Sequence, residues 1–164
     1  MTHPVHVDAP AGVPFIDTSR EFDAPVARIF EAHARPELVQ QWLGPRGMNM
    51  EIAEWDFVSG GRWKYDDIAP DGERYAFRGM FHTVRDQEIA IQTFEFEGFQ
   101  DVVAIETLRF VDLGDGRARL DIHSVYPTLE ARDGMVASGM ESGITQGYER
   151  LDELLAAQSA STPA

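Results

Sequence analysis

Glu106 is the residue of this chain best placed to do chemistry. It shares strand parity with Leu108 and Phe110, so alternation turns its carboxyl toward an apolar side, where an isolated charge is costly unless paired or protonated. Arg20, in parity with Ile16 and Phe22, could supply the partner and make the contact a structural ion pair. Alternatively Glu106, with Gln92 and Ser124 on neighbouring strands, could fix a polar group of a bound ligand or move its proton. His82 is the second acid–base candidate. It alternates with Arg78, and the two would form a polar pair on the opposite face.

The remaining constellations fail on spacing. Gly139-Met140-Glu141-Ser142-Gly143 is one residue out of register with a Gly-x-Ser-x-Gly nucleophile elbow and lies inside a helical pattern. Asp67, Asp71 and Gly72 resemble a calcium loop, but Arg78 stands where the bidentate glutamate belongs, so the segment reads as a hairpin turn. His33, His82 and His123 have no second ligand at metal spacing, and there is no phosphate-cradling glycine loop. With no cysteine, thiolate sites and disulfides are excluded as well; no metal and no cofactor is expected. A formal net charge of −14 repels phosphate backbones and anionic headgroups, so neither nucleic acid nor a membrane is an expected partner. No apolar run approaches the roughly 18 residues of a membrane span, and the start lacks a signal-peptide pattern. A cytoplasmic protein is expected.

These side chains need a scaffold, and 164 residues suit one domain. Residues 1–12 and 158–164 read as mobile tails around a domain at 13–157. A first strand over 15–22 leads through Asp23-Ala24-Pro25 into two short helices separated by Pro36. From Asn49 to Tyr126 the period is that of strands, six of them, punctuated by Gly-, Pro- and Asp-rich turns. Residues 133–155 then form one long amphipathic helix with Gly139, Gly143 and Gly147 on one face and a stripe of Val136, Met140, Ile144, Leu151 and Leu154. Each interior glycine costs about 1 kcal/mol against alanine, which points to close approach of another surface or to a ligand cavity beneath the helix.

The expected fold is therefore α+β: a seven-stranded curved antiparallel sheet with one apolar face, wrapped on the C-terminal helix as its only cover. Curvature leaves a gap, and aromatic side chains around it form the kind of apolar pocket that holds small molecules. Its wall is expected from Trp42, Trp63, Tyr65, Phe77, Phe81, Phe94 and Phe110, with Gln92, Glu106 and Ser124 as polar groups and Met135, Met140, Gly143 and Ile144 from the helix.

Several segments carry a resemblance to a known family. REFDAPVARIFEAHARPELVQQWLGPRG is similar to the opening strand and helix pair of the SRPBCC or START-like superfamily, in the branch of bacterial homologues of the heat-shock-protein-90 ATPase activator. GGRWKY, YAFRGMFHTV and QTFEFEG resemble its third to fifth strands, and ARDGMVASGMESG followed by YERLDELL its final helix, over residues 14–157. The resemblance implies a helix-grip fold enclosing a cavity for lipids, polyketides or other hydrophobic molecules. Leu43, Ala34-Arg35 and Val58-Ser59 depart from the family pattern at the expected pocket mouth.

Three functions are compatible with this reading. The first is a module binding a small hydrophobic molecule, lipid, aromatic or polyketide-like. The second is a cyclase, dehydratase or hydrolase using Glu106 or His82, and the third a chaperone-associated interaction domain. A cavity with a desolvated Glu106 would favour catalysis, an apolar cavity carriage, and a collapsed interior interaction. Homodimer formation is left open.

Overall fold

The strand over residues 15–22 forms as alternation requires: Ile16, Thr18, Arg20 and Phe22 are buried and the residues between them half-buried. It is β2 (Phe15–Phe22) of a computed structural model that describes residues 2–161, because a short strand, β1 (His6–Asp8), precedes it. Next come α1 (Val26–Ala34) and α2 (Pro36–Trp42), split where Arg35 takes an extended backbone before Pro36. The sheet continues as β3 (Asn49–Trp55), β4 (Arg62–Ile68), β5 (Arg74–Arg85), β6 (Ile89–Phe96), β7 (Ala104–Gly114) and β8 (Arg117–Val125), with a 3-10 turn at Glu97–Phe99. Two helices, α3 (Leu129–Ala137) and α4 (Met140–Ser161), complete the chain.

All pairings are antiparallel, in the order β1-β2-β8-β7-β6-β5-β4-β3. The sheet thus has eight strands rather than the expected seven. The extra one lies in the stretch read as a tail, where His6 pairs with Ser19 and shields the edge β2 would otherwise expose. Register shifts at Ile52/Glu54, Phe81/Thr83 and Asp112/Gly114 bend individual strands, and the sheet curves around its apolar side.

The expected single C-terminal helix is two. Thr128 caps α3 by accepting from the Ala131 amide at 3.0 Å, and Ser138 ends it, its amide donating to the Met135 carbonyl at 3.1 Å. Gly139 follows at φ +84°, the left-handed turn that stops helices and that glycine adopts without strain. It is a terminator, not a packing glycine. Val136, placed on the core stripe, is exposed on α3, while Leu151 is buried. At the other end α4 runs to Ser161, past the expected tail boundary; residues 162–164 of that tail lie outside the described residues.

Nor is the C-terminal helix the only cover. Ile29 and Phe30 of α1 and Trp42 of α2 share a core cluster with Phe110 and Leu120 of the sheet and with Tyr148, Leu151 and Leu155 of α4. A second cluster gathers Val39, Met50, Trp63, Tyr65 and Phe81, and a third Ile16, Ala104 and Tyr126.

Arg20 does not partner Glu106. Its guanidinium, 1% exposed, donates from Nη1 and Nη2 to the two carboxylate oxygens of Asp152 on α4, at 2.6 and 2.5 Å, and lies 4.6 Å from the Phe22 ring centre. A fork-to-fork contact of this kind combines charge with fixed geometry. Asp152→Ala strands a buried cation and is expected to cost about 3 kcal/mol in urea unfolding, while the double variant Arg20→Met/Asp152→Leu recovers most of it. A loss below about 1 kcal/mol in the single variant would mean that the pair does not hold the helix.

Candidate functional site

The three clusters do not merge. Where they meet, a cavity of about 300 Å³ lies between the concave face of the sheet and the helices, at the low end of the roughly 300–1,000 Å³ typical of small-molecule pockets. Its floor is an aromatic panel raised by alternation on three strands. Trp63 and Tyr65 stack at 5.6 Å, Tyr65 and Phe77 at 5.2 Å, and Phe94 closes the square at 5.6 Å from Phe77 and 5.9 Å from Trp63. Gly79 lets the Trp63 indole lie flat: a Cβ there would stand 2.5 Å from its Nε1.

Trp42 forms part of the opposite wall, its Nε1 donating to the Ala32 carbonyl at 3.0 Å and its ring stacked on Tyr148 at 6.0 Å. Met135 of α3 and Met140, Gly143 and Ile144 of α4 complete the roof, as expected from the sequence. A Cβ at Gly143 would meet nothing within 4 Å, whereas one at Gly147 would stand 3.3 Å from the Trp42 carbonyl oxygen and 3.4 Å from the Gly44 amide. Of the glycines first placed on one face, only Gly147 serves close approach.

Glu106 reaches the cavity, and both expected neighbours hold it. Gln92 Nε2 donates to Oε1 at 3.0 Å and Ser124 Oγ to Oε2 at 3.2 Å. Burial pushes its carboxyl above the usual range, and the two donors pull the other way.

Three expected site residues are elsewhere. Phe81 is fully buried behind the panel, its ring 4.9 Å from Phe57 and 5.6 Å from Trp55. Phe110 packs under α1, 5.1 Å from Phe30 and 5.2 Å from His33. Parity gave both the correct face, but α1 covers Phe110 and the rings of Trp55 and Phe57 cover Phe81. His82 is exposed on β5, with Nδ1 2.8 Å from Thr83 Oγ1, and Arg78 pairs with Glu95 at 2.8 Å, so these two form no pair.

Asp67 is the functional candidate that the sequence reading missed. It follows Trp63 and Tyr65 in the same strand row, a parity visible in RWKYDDI but masked by the turn-like Asp71-Gly72 beyond it. The side chain is buried, 5% exposed, and Oδ1 finds no hydrogen-bond partner among the described residues. The Gly44 backbone closes over it: a Cβ there would stand 3.2 Å from Oδ2. Burial raises the carboxyl to about 6, with Arg150 opposing the shift and Asp66 adding to it. His33, also on the wall, is pushed down to about 4 by burial and stays neutral, its Nδ1 2.8 Å from the Ile29 carbonyl. Thr18, Trp55, Leu108, Tyr126 and Tyr148 also line the cavity without having been singled out for it. Among the described residues no three His, Asp or Glu side chains converge as a metal site requires.

Residues 23–156 match the family described as Activator of Hsp90 ATPase homolog 1-like protein. The chain belongs to that family. Solved structures similar to it include a Rhodobacter sphaeroides protein (24% identity, 94% of this chain and 99% of that one, TM-score 0.86). An Arthrobacter aurescens protein (25%, 93% and 91%, 0.84) and one from Mycobacterium smegmatis (27%, 94% and 99%, 0.82) are also similar. No curated protein matches. These structures share the helix-grip architecture, and among the described residues of this chain no helix is long and apolar enough to cross a membrane.

Asp67 makes the pH dependence of stability testable. Its carboxyl holds a proton more tightly folded than unfolded, so its cost is absent below the unfolded value of 3.8 and complete above about 6. Asp67→Asn is therefore expected to raise stability on the order of 2 kcal/mol near neutral pH, the gain vanishing by about pH 4. Urea unfolding of both proteins across this range checks it; a gain independent of pH would contradict the assignment.

Proposed function

We propose that the protein is a cytoplasmic binding module that holds one small, largely apolar molecule in the cavity beneath α3 and α4. The observation that carries this reading is the aromatic panel of Trp63, Tyr65, Phe77 and Phe94 facing Met135, Met140 and Ile144 across a space of about 300 Å³. Close packing is the rule inside proteins, and large side chains stop short of filling this interior. Flexible methionines opposite a rigid panel suit a roof that adjusts to its contents, and membership of a family in which such cavities are common agrees with it.

A second reading has its own support. The cavity contains a desolvated carboxyl, Glu106, the feature that distinguishes a catalyst from a carrier on this scaffold. As an acid–base enzyme the protein would move a proton of a bound substrate at Glu106. Against this, both carboxylate oxygens are engaged by Gln92 and Ser124, an arrangement that satisfies a buried carboxyl as it stands. In the catalytic case Glu106→Gln would still bind ligand while chemical conversion of it stopped; in the carrier case no conversion occurs with either protein.

The binding reading is tested with N-phenyl-1-naphthylamine, a dye uncharged near neutral pH that fluoresces in apolar surroundings. Saturable binding at one dye per chain is expected. Gly143→Leu, which places a side chain at the roof, should weaken it about tenfold while stabilising the helix by up to about 1 kcal/mol. Dye binding unchanged in this variant would place the dye outside the cavity and remove the support for carriage.

A further inference from the structure

This inference rests on the binding reading and names the chemical class of the occupant. Apart from tyrosines, the ionisable groups on the cavity wall are Asp67, Glu106 and the neutral His33; among the described residues no lysine or arginine lines it. The wall offers an anionic head no cation to pair with. Aromatic faces attract positive charge, and the formal net charge of −14 biases the field in the same direction.

The two carboxyls differ in what they still need. Glu106 is served by Gln92 and Ser124, whereas Asp67 is 5% exposed with Oδ1 unpartnered, in one row with the stacked rings of Trp63 and Tyr65. The charged groups that act on Asp67 are few. Asp66 precedes it on β4, and Arg150 approaches from α4. That guanidinium points its Nη1 at the backbone carbonyls of Gly44 and Pro45, at 3.3 and 3.4 Å, and is not part of the cavity wall. Just beyond α2 the uncharged backbone of Gly44 lies over Asp67, close enough that a Cβ there would stand 3.2 Å from Oδ2.

The Trp63 indole Nε1 is unpartnered as well, but it carries no charge; an orphaned carboxyl acceptor beside an aromatic panel, with no cationic side chain among the described wall residues, is complementary to a cationic hydrogen-bond donor. We propose that the cavity takes an apolar primary amine in its protonated form, the ammonium donating to Asp67 and the apolar body lying on Trp63, Tyr65, Phe77 and Phe94. An ammonium supplies the charge-assisted hydrogen bonds that Asp67 lacks. It also holds the carboxyl ionised, so amine binding and protonation of Asp67 oppose each other.

The test compares three probes on one skeleton, 2-phenylethylamine, 2-phenylethanol and phenylacetate, by titration calorimetry at about pH 7.5. The amine is expected to bind at least about tenfold more tightly than phenylacetate, with the alcohol between them. Asp67→Asn should weaken the amine about tenfold and leave the alcohol within about twofold. Lowering the pH to about 5 should weaken the amine alone by about tenfold, because the ionised fraction of Asp67 falls to about one-tenth. Phenylacetate binding as tightly as the amine, or an amine affinity unmoved by Asp67→Asn, overturns the inference. If N-phenyl-1-naphthylamine still binds the cavity in that event, the carrier reading stands; loss of dye and amine binding together overturns both.

Discussion

α4 is seated hard at one end and held away from the sheet at the other. In its second half Leu151 and Leu155 enter the core, and Asp152 takes the guanidinium that Arg20 presents from β2. At Gly147 the helix crosses the end of α2 closely enough that a Cβ would stand 3.3 Å from the Trp42 carbonyl oxygen. A helix is a stiff rod, and the sheet below it curves. Fixing the rod at Gly147 and Leu151 therefore decides the height at which Met140, Gly143 and Ile144 pass over the strands, and the cavity is the space left under that segment. The break at Gly139 then lets α3 turn and bring Met135 to the wall.

The polar groups inside follow different rules at the two ends of the cavity. Glu106 sits mid-strand on β7, where register sets Gln92 on one side and Ser124 on the other, so both carboxylate oxygens are met by strand neighbours. Asp67 is near the end of β4, opposite Tyr75 and Met50, and its Oδ1 has no hydrogen-bond partner among the described residues. What covers it is the Gly44 backbone. Sheet register thus satisfies one carboxyl and leaves the other exposed to whatever the cavity contains, which is where a charge is expected to act on something other than the fold.

Much of this was legible from period alone. Alternation assigned Trp63, Tyr65, Phe77, Phe94, Gln92, Glu106 and Ser124 to the concave face, and all of them line the cavity. It cannot give position along that face. Phe81 and Phe110 have the same parity and fill solid core, because α1 and Phe57 occupy the space above them, a tertiary fact with no local signature. Arg20 was correctly turned inward, but its partner is 132 residues away on a helix whose rotation the strand pattern does not encode. Gly139 was misplaced for a different reason: a helix-breaking glycine and a packing glycine look identical until Ser138 is seen to close α3 onto the Met135 carbonyl and Gly139 to take the left-handed turn after it. Asp67 was readable and was missed, since a strand end beside a turn invites a solvent-exposed reading of any aspartate.

The relation between fold and ligand is therefore loose in this architecture. The 0.86 TM-score to the Rhodobacter sphaeroides protein at 24% identity shows that strand alternation and helix crossing survive wide sequence change. The residues that maintain them, the Arg20–Asp152 contact, Leu151 and Gly147, are distinct from the panel and the carboxyls that give the cavity its character. A wall side chain can change without touching the docking of α4, so kinship fixes the shape of the container and says little about its contents. Two buried polar atoms on the wall, Asp67 Oδ1 and Trp63 Nε1, have no hydrogen-bond partner among the described residues, and of these only the carboxyl can carry a charge. An ionised carboxyl with a bare oxygen costs folding free energy in every molecule that carries it, and substitution to asparagine or an apolar residue would remove that cost without disturbing the strand. Among the carboxyls on this wall, Glu106 is held by its strand neighbours, whereas Asp67 Oδ1 has no hydrogen-bond partner among the described residues.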